Sequence, residues 1–145
     1  LSRRSRHACM IEVYPLLVLV VVVVLIAGCT GPAESGVIIR TVPPAGVSAL
    51  IDERGQDPAF AVIDLRRPDE FAAGHVPGAI NIDSREFEGR LTDLDRNGTY
   101  VIYCQRGGRS SGVREMMREA GFREVYEVEG GMSAWAVAGL PVTLE

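Results

Sequence analysis

The run Cys104-Gln105-Arg106-Gly107-Gly108-Arg109-Ser110-Ser111 holds the residue types that could carry a reaction. It follows an apolar segment, Tyr100-Val101-Ile102-Tyr103, and precedes one with helical period. A cysteine reacts as its thiolate, and thiolates are stabilised at helix N-termini and beside cations. Gly107 and Gly108 let the backbone curl tightly and take positive φ. A curled loop turns several N–H groups toward one point and forms an anion nest. The helix beginning near Ser110 adds positive potential there, and Arg106 and Arg109 add charge suited to an anionic substrate. Each feature alone has an ordinary explanation: a cysteine ending a strand is often core, Gly-Gly is often only a turn, and arginine is often solvated. Together at one strand–loop–helix junction they point to a nucleophile, Cys104. The binding loop is then Gln105, Arg106, Gly107, Gly108, Arg109 and Ser110, with the sulfur expected to face solvent.

The elements that must position this loop read as α/β. Val37–Val42 has strand character, and Pro44 suits the first turn of a helix that runs to Arg54. Ala59–Leu65 is a continuous apolar run, as in a strand buried on both faces. A short helix over Asp69–Ala73, a strand over Ala79–Ile82 and a helical segment over Ser84–Arg90 follow. Beyond the Asn97-Gly98 turn come the Tyr100–Tyr103 strand, a helix over Ser110–Ala120 with Val113, Met116 and Met117 inward, a strand over Val125–Val128 and a helix over Met132–Ala138. Strands alternating with helices predict a parallel sheet of about five strands with helices on both faces.

The N-terminal segment reads differently. Arg3, Arg4 and Arg6 precede an unbroken apolar run from Leu16 to Ala27, then Gly28 and Cys29. A basic start, a short apolar stretch and small residues before a cut describe a secretory signal over 1–28. A membrane span is the competing reading. It needs about 20 apolar residues, and here Glu12 and Pro15 lie on one side and Gly31-Pro32 on the other. Leu1 in place of Met points to an unusual start codon or an incomplete N-terminus. Residues 29–36 read as a tether and 37–145 as the domain.

Without the signal, three of the fifteen basic residues and one of the nineteen acids are lost, which leaves a formal charge of −6. That balance argues against a nucleic-acid partner, which would need a basic face. Cys9 leaves with the signal, so Cys29 and Cys104 remain.

Three segments carry a family resemblance. Cys104-x-x-Gly107-x-Arg109-Ser110 resembles the active loop of the rhodanese family. Val62-Ile63-Asp64-Leu65-Arg66, with Pro68-Asp69-Glu70-Phe71 and Gly74-His75-Val76-Pro77-Gly78-Ala79-Ile80-Asn81-Ile82, resembles its first signature. Val128-Glu129-Gly130-Gly131-Met132-Ser133-Ala134-Trp135 resembles its C-terminal one. The likeness runs from Val37 to Pro141 and implies a rhodanese-like fold. It also implies a sulfurtransferase that takes sulfur from an anionic donor such as thiosulfate, holds it as a Cys104 persulfide, and passes it to cyanide or a thiol. No metal or organic cofactor is called for. Rhodaneses use six residues from Cys to Arg, as Cys104 to Arg109 does; the related phosphatases and arsenate reductases use one more. A persulfide carrier or binding module without turnover is the main alternative, and a phosphatase or arsenate reductase the lesser one.

The resemblance makes Asp64 and Arg66 partners that hold the active loop, with a plain surface ion pair as the competing reading. It places His75 in a turn leading into a strand, not in catalysis. Trp135 is expected to pack the last helix, and Gly130-Gly131 to shape a turn near the site. Ile26-Ala27-Gly28-Cys29 resembles the lipobox of bacterial lipoproteins. That implies an exported protein anchored to a membrane by lipid on Cys29.

Overall fold

The computed structural model describes residues 36–145. The expected signal, Cys29 and nearly all of the tether lie outside the described residues. The described compact unit is Gly36–Glu145.

Five strands form one sheet: β1 (Ile38–Val42), β2 (Phe60–Asp64), β3 (Ala79–Asn81), β4 (Thr99–Tyr103) and β5 (Glu124–Val128). Their order is β1-β5-β4-β2-β3, and every pairing is parallel. The helices are α1 (Pro44–Arg54), α2 (Pro68–Ala72), α3 (Phe87–Arg90), α4 (Gly108–Glu119) and α5 (Gly131–Val137). Parallel strands need crossovers, and these helices supply them.

Side chains alternate across the pleat and feed two cores. On one face Ile63, Ile102 and Val125 pack with Phe87 of α3 and Val113 and Met117 of α4. On the other, Val62, Val101, Tyr103, Tyr126 and Val128 pack with Val47 of α1 and Met132 and Trp135 of α5. Helices thus cover both faces, as expected. All five β4 residues are buried, which explains why that segment is uniformly apolar or aromatic after Thr99. Trp135 is buried as expected, its Nε1 donating to Pro141 O at 2.9 Å.

Most boundaries fall within one residue of the sequence reading, and two differ by more for local reasons. The Ser84–Arg90 segment becomes α-helical only at Phe87 and passes into a 3-10 turn over Leu91–Asp93. Asp83 delays it: its Oδ1 accepts from Arg85 N at 3.0 Å and its carbonyl accepts from Glu86 N at 2.9 Å, so residues 83–86 form a turn. Helix α4 starts at Gly108, two residues before Ser110. Gly107 sits at φ 99°, and its carbonyl accepts from Ser111 N at 3.0 Å, closing the first turn early.

Candidate active site

Strand β4 ends at Tyr103 and delivers Cys104 to the carboxyl edge of the sheet, where open α/β sheets bind ligands. The loop is fixed from its far side by α5. Cys104 O accepts from Met132 N at 2.8 Å, and Gln105 O accepts from Ser133 N at 3.0 Å. Gln105 Nε2 also donates to Ser133 Oγ at 3.0 Å. Gly131 makes this approach possible. A Cβ there would lie 2.2 Å from Cys104 O, and its φ is +60°. The expected Gly130-Gly131 turn near the site is therefore also the seat on which the active loop rests.

Above this seat the loop wraps the sulfur. Gly107 N donates to Cys104 Sγ at 3.1 Å, and Ser110 Oγ lies 3.5 Å from it. Burial pushes the thiol pKa up. A hydrogen bond from the Ser110 hydroxyl, where it donates to the sulfur, and the N–H groups of Ser110, Arg106 and Gly107 outweigh it, and the pKa falls below the ordinary thiol range. The expected nest is thus present. The expectation of a solvent-facing sulfur is corrected: Cys104 is 1% exposed and packs with Ile102, Val113 and Met117 in one of the two cores. The residue following a fully buried central strand remains beneath the loop that covers it.

The two loop arginines are not equivalent. Arg106 is exposed. Arg109 turns to Glu70 in α2, with Nη1 3.0 Å from Oε2 and Nη2 3.1 Å from Oε1. The Arg109 hydrogen bonds hold the Glu70 carboxyl below its usual range against the opposing effect of burial. Glu70 Oε2 also accepts from Arg67 N at 3.1 Å, at the start of α2. Arg109 thus reaches the site already partnered, and much of its charge is answered within the protein. Sequence reasoning gave Glu70 no role of its own, although it stands in the quoted Pro68-Asp69-Glu70-Phe71 segment.

Asp64 and Arg66 form a buried pair, which removes the surface-pair reading. Asp64 is fully buried and Arg66 is 5% exposed. Arg66 Nε lies 3.0 Å from both Asp64 oxygens, and Nη2 lies 2.7 Å from Oδ2. Arg66 Nη2 also donates to Gly74 O at 2.6 Å, and Nη1 to Gln105 Oε1 at 3.4 Å. Burial works against the Arg66 charge, and the Asp64 carboxylate more than restores it. Arg66 thereby touches the active loop through Gln105. His75 is buried, stacks on Phe71 at 3.6 Å, and places Nδ1 3.0 Å from Phe71 O. It belongs to the turn before β3.

A second acid missing from the sequence reading lies below the loop. Glu127 of β5 is 3% exposed and accepts from Ser110 Oγ at 2.6 Å. Among the described residues, no group of His, Cys, Asp and Glu is arranged to hold a metal ion. No helix among them is long and apolar enough to cross a membrane.

A family profile described as the rhodanese-like domain matches residues 45–138, well over half of the chain. The chain belongs to the rhodanese-like family. YrkF of Bacillus subtilis, provisionally named a sulfur carrier protein, is 30% identical over 95 residues, which cover 66% of this chain and 51% of YrkF. This chain therefore spans about half the length of that relative. A rhodanese-related protein from Thermoplasma volcanium superposes with a TM-score of 0.63 at 31% identity, covering 73% of this chain and 99% of that one. A Rhodopseudomonas palustris protein of unknown function, described as a possible tyrosine phosphatase, has the same TM-score at 26% identity, covering 72% and 85%. The rhodanese-like fold expected from the three motifs is the fold of the domain.

Proposed function

We propose that this domain moves sulfane sulfur, and that it does so through a persulfide on Cys104. The observation that carries the reading is the sulfur itself, set beneath a six-residue Cys104–Arg109 loop with the Gly107 N–H 3.1 Å away. The rhodanese-like family and the sulfur-carrier name of YrkF support the same role.

In the loading step the Cys104 thiolate attacks the outer sulfur of a donor such as thiosulfate. The new Cys104 S–S bond forms as the donor S–S bond breaks, and sulfite leaves with the bonding electrons. The negative charge now lies on the outer sulfur of the persulfide, where the loop N–H groups stabilise it. In the second step a thiol or cyanide attacks that outer sulfur. The Cys104 S–S bond breaks and the thiolate returns, as in covalent catalysis of the ping-pong type. No cofactor enters this scheme. Arg106 offers an exposed cation to the anionic donor, and the Asp64–Arg66 pair holds Gln105.

A carrier that loads sulfur but turns over slowly is the second reading. Two observations favour it: the Cys104 sulfur is covered, and Glu70 occupies both outer nitrogens of Arg109. Less of the loop's charge is then left for a small anionic donor.

The test is the mass of the purified chain after exposure to thiosulfate. It should rise by one sulfur, about 32 Da, on the covalent-intermediate scheme. Cyanide should remove that mass and yield thiocyanate. Cys104→Ser should show neither change; full thiocyanate production by that variant would sink the proposal. Hydrolysis of aryl phosphates by a wild-type protein that ignores thiosulfate would favour the phosphatase alternative. We further propose that Cys29 carries lipid and tethers the domain to a membrane, on the strength of the Ile26-Ala27-Gly28-Cys29 run after its apolar segment.

A further inference from the structure

Ser110 is fully buried, and its hydroxyl hydrogen has three neighbours to serve. Glu127 Oε1 lies 2.6 Å from Oγ, Gly107 O 3.1 Å, and Cys104 Sγ 3.5 Å. A hydroxyl has one hydrogen and two lone pairs. A carboxylate at the shortest of these distances is the strongest acceptor. The other Glu127 oxygen accepts from Arg114 Nη1 at 2.7 Å and from Thr41 Oγ1 at 3.2 Å. Arg114 in α4 and Thr41 in β1 thus hold Glu127 against Ser110. The Ser110 hydroxyl lowers the Cys104 pKa only while its hydrogen points at the sulfur. Drawn to Glu127 at the shorter distance, that hydrogen is withheld and Ser110 turns a lone pair toward Cys104. A lone pair accepts an S–H and repels a thiolate.

We propose that Glu127 is a positioning residue that sets the ionisation of Cys104 through Ser110, drawing the sulfur toward its protonated form. Other groups act on the same sulfur. The N–H groups of Arg106, Gly107 and Ser110 favour the thiolate, as does the Arg109 charge in α4, itself tempered by Glu70 of α2. The Asp64–Arg66 pair from β2 reaches the loop only through Gln105. Glu127 limits how far the thiolate-favouring groups succeed. Ionisation breaks only the S–H bond, and the proton leaves to solvent.

The consequence for sulfur transfer rests on the persulfide reading. Once Cys104 is loaded, the negative charge moves to the outer sulfur, about 2 Å along the S–S bond. It then lies among the loop N–H groups and farther from the Ser110 lone pair. Glu127 therefore opposes the empty thiolate more than the loaded persulfide, and loading becomes the pH-dependent step.

The test does not need sulfur transfer. Iodoacetamide alkylation of the purified chain is followed against pH at Cys104 by peptide mass spectrometry. Glu127→Gln should move the midpoint of the profile down by about one pH unit, roughly tenfold more thiolate below both midpoints. An unmoved midpoint, or one that rises, overturns the proposal. Should that variant fold poorly, Ser110→Ala gives an independent reading. Its midpoint should stay or fall, because the wild-type hydroxyl gives the thiolate no hydrogen. A rise would show that Ser110 donates to the thiolate and would overturn the proposal. If the profiles move as expected while thiosulfate adds no sulfur, the ionisation proposal stands and the sulfur-transfer reading fails.

Discussion

Arg109 and Glu70 meet in a two-pronged ion pair, 3.0 and 3.1 Å long, that joins the first turn of α4 to α2 across the mouth of the active loop. The pair connects the Cys104 loop to the first signature segment, 39 residues earlier in the chain. It braces the loop and at the same time answers the Arg109 charge within the protein.

This double role makes the two arginines separable. Arg106→Ala removes an exposed cation and should raise KM for thiosulfate several-fold, with kcat little changed. Arg109→Ala should also lower kcat, because the loop loses its brace. It further leaves Glu70 as an unanswered carboxylate near the donor, so KM should rise more than in Arg106→Ala. Adding Glu70→Gln to Arg109→Ala should recover part of that KM. The pair is partly exposed, so its coupling should be no more than about 1 kcal/mol. Steady-state kinetics of the parent, Glu70→Gln, Arg109→Ala and the double variant would decide it; strict additivity would show that Glu70 does not act on the donor through Arg109.

Gly131→Ala should disturb the loop although it lies outside it. The new methyl would meet Cys104 O at 2.2 Å in a backbone conformation with φ +60°. The strain should cost about 1–3 kcal/mol, seen in a denaturant melt. Persulfide loading should fall as the loop shifts. A variant with wild-type stability and loading would mean that the loop and α5 are not in this contact.

Acid sensitivity should trace partly to Asp83. Its carboxyl is buried, and its pKa is drawn down to about 2, first by the Arg85 side-chain hydrogen bond and against the effect of burial. A depressed folded-state pKa contributes stability that is fully present above the unfolded value and is lost as pH falls through the folded one. Asp83→Asn should therefore be less stable than the parent at neutral pH. The gap should narrow from about pH 4 downward, the ordinary carboxylate range, and close near pH 2. Denaturant midpoints across that window measure it; a constant gap would assign the loss to packing.

Cys29→Ser should release the protein from membranes or block removal of the first 28 residues. Fractionation with N-terminal sequencing distinguishes this from a span. Unchanged membrane retention with an uncleaved N-terminus would favour the span.

Much of this domain is legible in its amino-acid sequence, because the signals are local. The β4 run after Thr99 is apolar because that strand is buried on both faces, and Gly107 next to it marks where the backbone must turn left-handed. The cysteine, loop and helix therefore stand together within one short stretch of chain, and the two other motifs complete a family pattern. The late start of α3 is not legible in the same way, because it depends on how the Asp83 side chain and carbonyl are used.

What tertiary structure alone decided lies in the strand order. Placing β5 beside β4 puts Glu127 under Ser110, 17 residues away in sequence, and sets Gly131 against the Cys104 carbonyl. Placing β2 on the other side of β4 buries Asp64 and Arg66 and brings α2, with Glu70, to Arg109. Periodicity reports which face of an element is apolar, but not which strand lies beside it. The sequence alone could therefore single out Cys104 and its loop as the candidate nucleophile and its surroundings. The acids that temper Cys104 and Arg109 depend on crossovers between distant elements, and only the assembled sheet revealed them.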